Sequence, residues 1–212
     1  MSSFVTFVAF VVRRAAIALA LAATASACSS PPRSYEDELL ADRAEKDRML
    51  RESPESPVRP AQRPTWPPLE YYPPDPAYRV PAQLAPASGA QTIVMPTSTG
   101  QQRQMRRAGT LQFSVKGEPL TLAAFFDLDS RVANRLFVPF IDLTSGKETY
   151  PGGRYLDLDP TRTGLYEIDF NRAYSPYCAY NEEYDCPFPP PENRLKVEIR
   201  AGEKYTEVPG PP

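Results

Sequence analysis

Hydrophobic and polar positions along the chain change their period twice. Residues 34–51 carry a helical spacing, with Tyr35, Leu39, Ala41 or Ala44, and Met49 or Leu50 on one face and Glu36, Asp42, Arg43, Glu45 and Asp47 on the wet one. Ser34 stands as an N-cap with Asp37 three residues on, so one amphipathic helix is expected here. From Thr92 the period becomes two, and strands are expected at 92–95, 101–107, 110–115, 120–126, 136–143, 154–158, 165–170 and 195–200. The cleanest alternations are Leu111/Phe113/Val115, Leu120/Leu122/Ala124/Phe126, Tyr166/Ile168/Phe170 and Leu195/Val197/Ile199. Turn residues punctuate them at Thr99-Gly100, Ala108-Gly109, Lys116-Gly117, Thr144-Ser145-Gly146 and Gly152-Gly153. Connections this short join antiparallel neighbours. The expected fold is therefore mainly β, an antiparallel sandwich or partly closed barrel with one N-terminal amphipathic helix. Residues 136–143 are apolar on both faces and belong at the centre, although Pro139 calls for a bulge or an edge.

Composition divides the chain further. There are 26 prolines in 212 residues, and those at 54, 57, 60, 64, 67 and 68 make 52–68 an extended proline-rich connector between the helix (34–51) and a β domain at 69–205. Trp66, Tyr71, Tyr72 and Tyr78 close that connector against the body. Residues 206–212 are expected to form a disordered tail, and no internal repeat is seen in the sequence.

The first 27 residues read as a signal peptide. Arg13 and Arg14 precede an apolar stretch shorter than the about 20 residues of a membrane span, and small residues lead up to Cys28. This is the pattern of a bacterial lipobox, apart from Ala25 where leucine is preferred, and it makes Cys28 a lipidation site followed by a tether at 28–33. The competing reading is an ordinary secretory signal with Cys28 an incidental thiol. Translation starts at Met1 or near Val11. The expected location is the bacterial envelope, with the membrane as partner through the lipid anchor and the domain facing the periplasm or the exterior.

Charge and residue usage then prune the chemistry. The net charge of −2 gives no footprint for nucleic acid, and Arg103, Arg106 and Arg107 read as a solvated edge strand. The chain has no histidine, which removes Ser-His-Asp triads, Cys-His pairs and HExxH zinc sites. Neither a cofactor nor a metal is expected: no DxDxDG-type loop is present, and two thiolates alone leave a zinc site incomplete.

Four runs stand out by their odd composition: PPDPAYR at 73–79, TSTG at 97–100, LFVPFIDLTSGKETYPGGRYLDL at 136–158, and DFNRAYSPYCAYNEEYDCPFPPPENRLKVEIRAGEK at 169–204. Together they resemble the bacterial and archaeal domain-of-unknown-function family 1684 over residues 35–204. That resemblance implies a shared fold and carries no activity, cofactor or catalytic residue.

The candidate site is the polar face next to the last of these runs. In residues 165–171, Ile168 and Phe170 point to the core and Asp169 and Asn171 to the other side. With Arg154, Asp157 and Glu148 on a neighbouring strand, Asp169 and Asn171 would hold a sugar or other polar ligand between stacking walls formed by Tyr174, Tyr177 or Tyr180. Alternatively, Arg154 pairs with Asp157 or Asp169 and the remainder cap turns. Paired carboxylates from Asp142, Glu148, Asp157 and Asp169 would also serve a glycosidase, which sets two carboxyls about 5 to 9 Å apart across a cleft. Cys178 and Cys186 bracket a short loop, and outside the cytoplasm they are expected to form a disulfide. Pro187 and Pro189–191 form a polyproline strut, and Glu203 and Lys204 either join a site or close the domain as ion pairs. The functional expectation is a non-catalytic binding or structural module of the envelope; the alternative is a carboxylate-based hydrolase acting on polysaccharide.

Overall fold

A computed structural model describes residues 33–129 and 135–205. The signal, Cys28 and the tail expected at 206–212 lie outside the described residues. The body is one antiparallel sheet of β1 (Arg79–Pro86), β2 (Thr92–Pro96), β3 (Gln102–Val115), β4 (Glu118–Asp127), β5 (Leu136–Phe140), β6 (Arg154–Leu158) and β7 (Leu165–Asp169). Their order is β6-β5-β4-β3-β1-β7, with β2 paired to one end of β3, and the sheet curls into a half-barrel. This is the mainly β fold with one helix, α1 (Tyr35–Glu52), that the periodicity implies. Among the described residues no helix is long and apolar enough to cross a membrane.

The inner face collects the alternating residues Leu111, Phe113, Val115, Leu122, Leu156 and Ile168 with Phe140 and Phe170, whose rings meet edge to face at 5.4 Å. Lys116 (φ 50) and Gly117 (φ 85) both adopt the left-handed region between Val115 and Glu118, which are paired. Two such residues form the primed turn whose twist matches a hairpin.

Gly109 behaves differently. The expected turn at Ala108-Gly109 does not exist; β3 runs straight through, with a bulge between Arg107 and Gly109. A Cβ there would lie 2.3 Å from the carbonyl oxygen of Ala85 on β1, so the glycine marks close backbone approach. Gly109→Ala is expected to lower the thermal unfolding midpoint, because the obstacle is backbone and β1 must shift away from β3.

Strand β1 lies outside the expected strands, which begin at Thr92, and it carries Pro81 and Pro86, residues that disfavour an interior strand. The hydrogen bonds explain it. The amide of Leu84 donates toward the β7 side, to Gly164, and that of Ala87 toward the β3 side, to Ala108. Pro81 therefore turns its nitrogen toward β3, and pairing with β3 begins only at Ala82. Pro86 turns its nitrogen toward β7, where pairing has already ended at Gln83.

The same logic governs Pro139 in β5. Pairing between β4 and β5 is confined to Phe125 with Phe137. Beyond it the Asn193 side chain enters the gap, accepting from the Ala123 amide at 2.7 Å and donating to the carbonyls of Ala123 at 2.9 Å and Pro139 at 2.7 Å. β5 is neither an edge nor a bulge; an amide side chain replaces the missing ladder.

Residues 195–200 are not a strand of the sheet. Leu195 and Ile199 are buried as their alternation implies, but the backbone of this segment bonds residues 141–143: Leu195 donates to Ile141, and Leu143 to Val197.

The connector at 52–68 is not extended. It folds into successive turns, with a 3-10 turn at Arg63–Thr65, and buries Val58 and Trp66 beside Leu50 and Tyr180. Helix α1 buries Leu39 and Leu50, each contributing roughly 1.5–3 kcal/mol, and adds polar docking along the same face. Arg43 donates to the Tyr72 carbonyl, Lys46 pairs with buried Glu203 at 2.6 Å, and Asp47 accepts from the Leu69 amide. Arg43 and Asp47 are thus bound to the body, not on a solvated face as their charge implies.

Candidate functional site

On a strand, residues three apart point to opposite faces. That rule divides the expected cluster on β6: Arg154 points inward with Leu156, and Asp157 outward with Tyr155. Arg154 is 0 % exposed. It pairs with Asp142 at 3.3 Å and donates to the carbonyls of Ile199 at 2.8 Å, Glu203 at 3.3 Å, and Ala201. Burial pulls its pKa down while Asp142 holds it up. No ligand reaches Arg154, and its carboxylate partner is neither Asp157 nor Asp169.

Asn171 is also buried. Its side chain accepts from the Asp75 amide and donates to the Asp75 carbonyl and to Asp169, locking 73–77 against the end of β7. Asp169 caps the 3-10 turn Phe170–Arg172, accepting from the Asn171 amide, and receives the Tyr35 hydroxyl at 2.7 Å. Both residues hold structure together; Asp169 also borders a side lobe of the groove described next.

Asp157 and Tyr174 do meet, and they meet in a cleft. A groove of about 870 Å³ runs between α1, the outer face of β5 and β6, and the segment 172–187; a lobe of about 380 Å³ joins it at Asp157, Arg172 and Tyr174. The Tyr174 backbone bridges to Tyr155 in both directions, at 2.9 and 3.1 Å, so the irregular segment is seated on the free edge of β6. The Tyr174 hydroxyl then donates to Asp157 at 2.8 Å. Tyr155 makes edge contacts with Tyr174 at 5.8 Å and with Phe137 at 4.7 Å, and Phe137 is the cross-strand partner of Asp157. Four residues from three segments therefore share one patch.

The charges around the patch are mostly matched. Arg103 pairs with Asp127 and Asp185, Arg135 with Asp159, Arg172 with Asp42 and Asp169, and Lys46 with Glu203. Asp157 has no ion pair among the described residues. Its side chain is exposed and lines both the groove and the side lobe. Burial pushes its carboxyl above the usual carboxylate range, against the opposing pull of the Tyr174 hydroxyl and Arg135.

A carboxyl raised in this way stabilises the fold below its unfolded pKa of about 3.9 and loses that contribution as the pH rises through its folded value. At neutral pH its charge opposes folding. Asp157→Asn is accordingly expected to raise the unfolding midpoint at pH 7 and to leave it nearly unchanged at pH 3, a difference that thermal melts at the two pH values report.

The remaining acids are committed elsewhere. Asp142 is buried and accepts from Thr144 and the Ile199 amide as well as Arg154; Glu148 accepts from Tyr72 and pairs with Arg200. Tyr177 lines the groove and stacks edge-on with Tyr184 at 5.4 Å, whereas Tyr180 turns inward to Glu203. Phe137 and Tyr155 are not among the expected site residues, and the two-residue spacing of Tyr155 and Asp157 is the sequence signal that links them to the site. The stretch holding Arg103, Arg106 and Arg107 is not a solvated edge: β2 and β4 pair on its two sides, and Arg103 is held by Asp127 and Asp185.

Cys178 and Cys186 stand together as thiols, with the Cys178 amide donating to the Cys186 sulfur at 3.2 Å. The Cys178 thiol is pulled down to about 7, chiefly by the hydrogen bond from Cys186. Cys186 also lines the groove.

No curated protein matches the chain. It is similar to the solution NMR structure of the uncharacterized protein from gene locus rrnAC0354 of Haloarcula marismortui, at 38% identity and a TM-score of 0.63, covering 80% of this chain and 94% of that one. The model of the family described as "Protein of unknown function (DUF1684)" matches residues 65–204, which include every strand and the sheet side of the groove, and the chain belongs to that family.

Proposed function

We propose that the protein is an exported, lipid-anchored module that binds a polar, carbohydrate-like ligand in the groove beside Asp157 and catalyses no reaction. The observation that carries this reading is the pair of half-buried rings of Phe137 and Tyr174, both packed on the buried Tyr155 ring, beside one accessible carboxylate: exposed aromatic surface packs on sugar rings, while fixed polar groups orient hydroxyls. The groove's guanidinium groups are held in ion pairs, so little side-chain entropy remains to be lost on binding. A thermal-shift screen of neutral, acidic and amino oligosaccharides tests the reading. A stabilising hit that Asp157→Asn or Tyr174→Phe weakens supports it; no shift across the set counts against it.

One observation favours a hydrolase as the second reading. A general acid needs a raised pKa, and Asp157 has one. Release of reducing ends from a polysaccharide, lost in Asp157→Asn, would select this reading over binding alone.

Attachment through Cys28 is part of the proposal and rests on the sequence of the signal. Metabolic labelling with a palmitate analogue should mark the protein, and Cys28→Ser should abolish the label. In an exported protein we further propose a Cys178–Cys186 bridge, consistent with the meeting of the two side chains. Closing so short a loop contributes roughly 2 to 3 kcal/mol on chain-entropy grounds. Dithiothreitol should lower the unfolding midpoint of the exported protein, and an unchanged midpoint with two free thiols by mass would rule the bridge out.

A further inference from the structure

We propose that the patch around Asp157 recognises a positively charged amine on the ligand, so that the groove takes amino sugars in preference to their neutral N-acetylated forms. This rests on the reading of the groove as a carbohydrate site and names the class of sugar.

The argument starts from what the groove leaves unpaired. Lys46, Arg103, Arg135 and Arg172 each already hold a carboxylate, so an anionic ligand would have to break an existing ion pair to enter. On the acidic side, Asp42, Asp127 and Asp185 are each engaged by an arginine, and Glu45 by Arg48. Asp157 alone among these acids faces the groove with only a neutral partner. Tyr174 occupies its Oδ2, which leaves Oδ1 without a partner among the described residues. A ligand that completes this site supplies a donor, and a charged donor gains most where water is partly excluded.

The surrounding rings point to the same chemistry. Phe137 and Tyr174 stand on the same face as Asp157, through cross-strand pairing and a hydrogen bond respectively, and both pack on the buried ring of Tyr155. Aromatic faces attract ammonium groups within about 6 Å of the ring centroid. The protein itself uses this contact at the same place: the ammonium of Lys46 lies 5.3 Å from the Tyr174 ring centroid. A carboxylate beside the half-buried rings of Phe137 and Tyr174, with no unmatched cation among the described residues of the groove wall, is an environment for an organic ammonium.

The test titrates the purified protein calorimetrically with a glucosamine tetramer and with the fully N-acetylated tetramer, which share a backbone and differ in charge. The expected result is at least about tenfold tighter binding of the free amine, a difference that Asp157→Asn removes while Asp185→Asn preserves it. The unfolding midpoint of Asp157→Asn, measured in parallel, shows that the variant is folded. Equal binding of the two tetramers, or tighter binding of the acetylated one, overturns the amine inference and leaves the carbohydrate reading standing. A preference for the amine that survives in Asp157→Asn also overturns it, because attraction to the surface at large would then account for it. If neither tetramer binds, the amine inference falls, and the thermal-shift screen of other oligosaccharides decides whether the carbohydrate reading stands.

Discussion

Arg154→Ala is expected to lower the free energy of unfolding by about 3 to 5 kcal/mol, the cost of removing one partner from a buried ion pair. The guanidinium is fully enclosed and satisfies Asp142 together with the carbonyls of Ile199, Ala201 and Glu203. Without it, Asp142 remains a buried carboxylate, and the last described segment loses three anchors to β6. Arg154→Lys should fall between the two, because a lysine supplies the charge but not the planar fork that reaches several acceptors at once. Urea denaturation measures both variants. If the ion pair dominates the cost, Asp142→Asn should be less harmful in the Arg154→Ala background than in the unmodified chain. Additive losses would mean that the carbonyl contacts matter more than the charge.

The second large effect lies at Asn193. Alanine there removes three hydrogen bonds in a site from which water is excluded, and an expected loss of about 2 to 4 kcal/mol follows from leaving the Ala123 amide and two carbonyls without partners. Asn193→Asp should be worse than alanine. A carboxylate can accept from the Ala123 amide, but it cannot donate to the carbonyls of Ala123 and Pro139, and it brings charge into the sheet. Hydrogen exchange supplies the local readout: the amides of Ala123 and Ile141 should lose protection ahead of those in β3. Uniform loss of protection would instead indicate a general weakening of the fold.

These two residues also show where the sequence is legible. Periodicity reports which side chains are buried, and it was right about Leu111, Phe113, Leu122, Ile168, Leu195 and Ile199. It does not report what the backbone bonds to, so 195–200 read as a strand although it bonds residues 141–143. Prolines mislead for the same reason. Pro81 and Pro139 sit within interior strands because each turns its missing donor to a place where pairing stops or where Asn193 takes over. Glycine is ambiguous too: Gly117 makes the hairpin it suggests, whereas Gly109 permits β1 and β3 to approach.

The candidate site was half legible. Asp157 and Tyr174 stand in the groove as the family of acids and tyrosines suggested, and Asp169 borders its side lobe. Arg154 was misplaced because three-residue spacing on a strand puts it across the sheet from Asp157. The other walls come from α1 and from 176–187, which no local pattern connects to β6.

The central claim is that the groove at Asp157 binds a ligand, and a nuclear magnetic resonance titration of the isotope-labelled protein with an oligosaccharide tests it most directly. The account predicts saturable shifts concentrated at Phe137, Tyr155, Asp157, Tyr174 and Tyr184, and their loss in Asp157→Asn. Shifts that cluster elsewhere on the half-barrel, or a spectrum that does not change at saturating oligosaccharide, would contradict it.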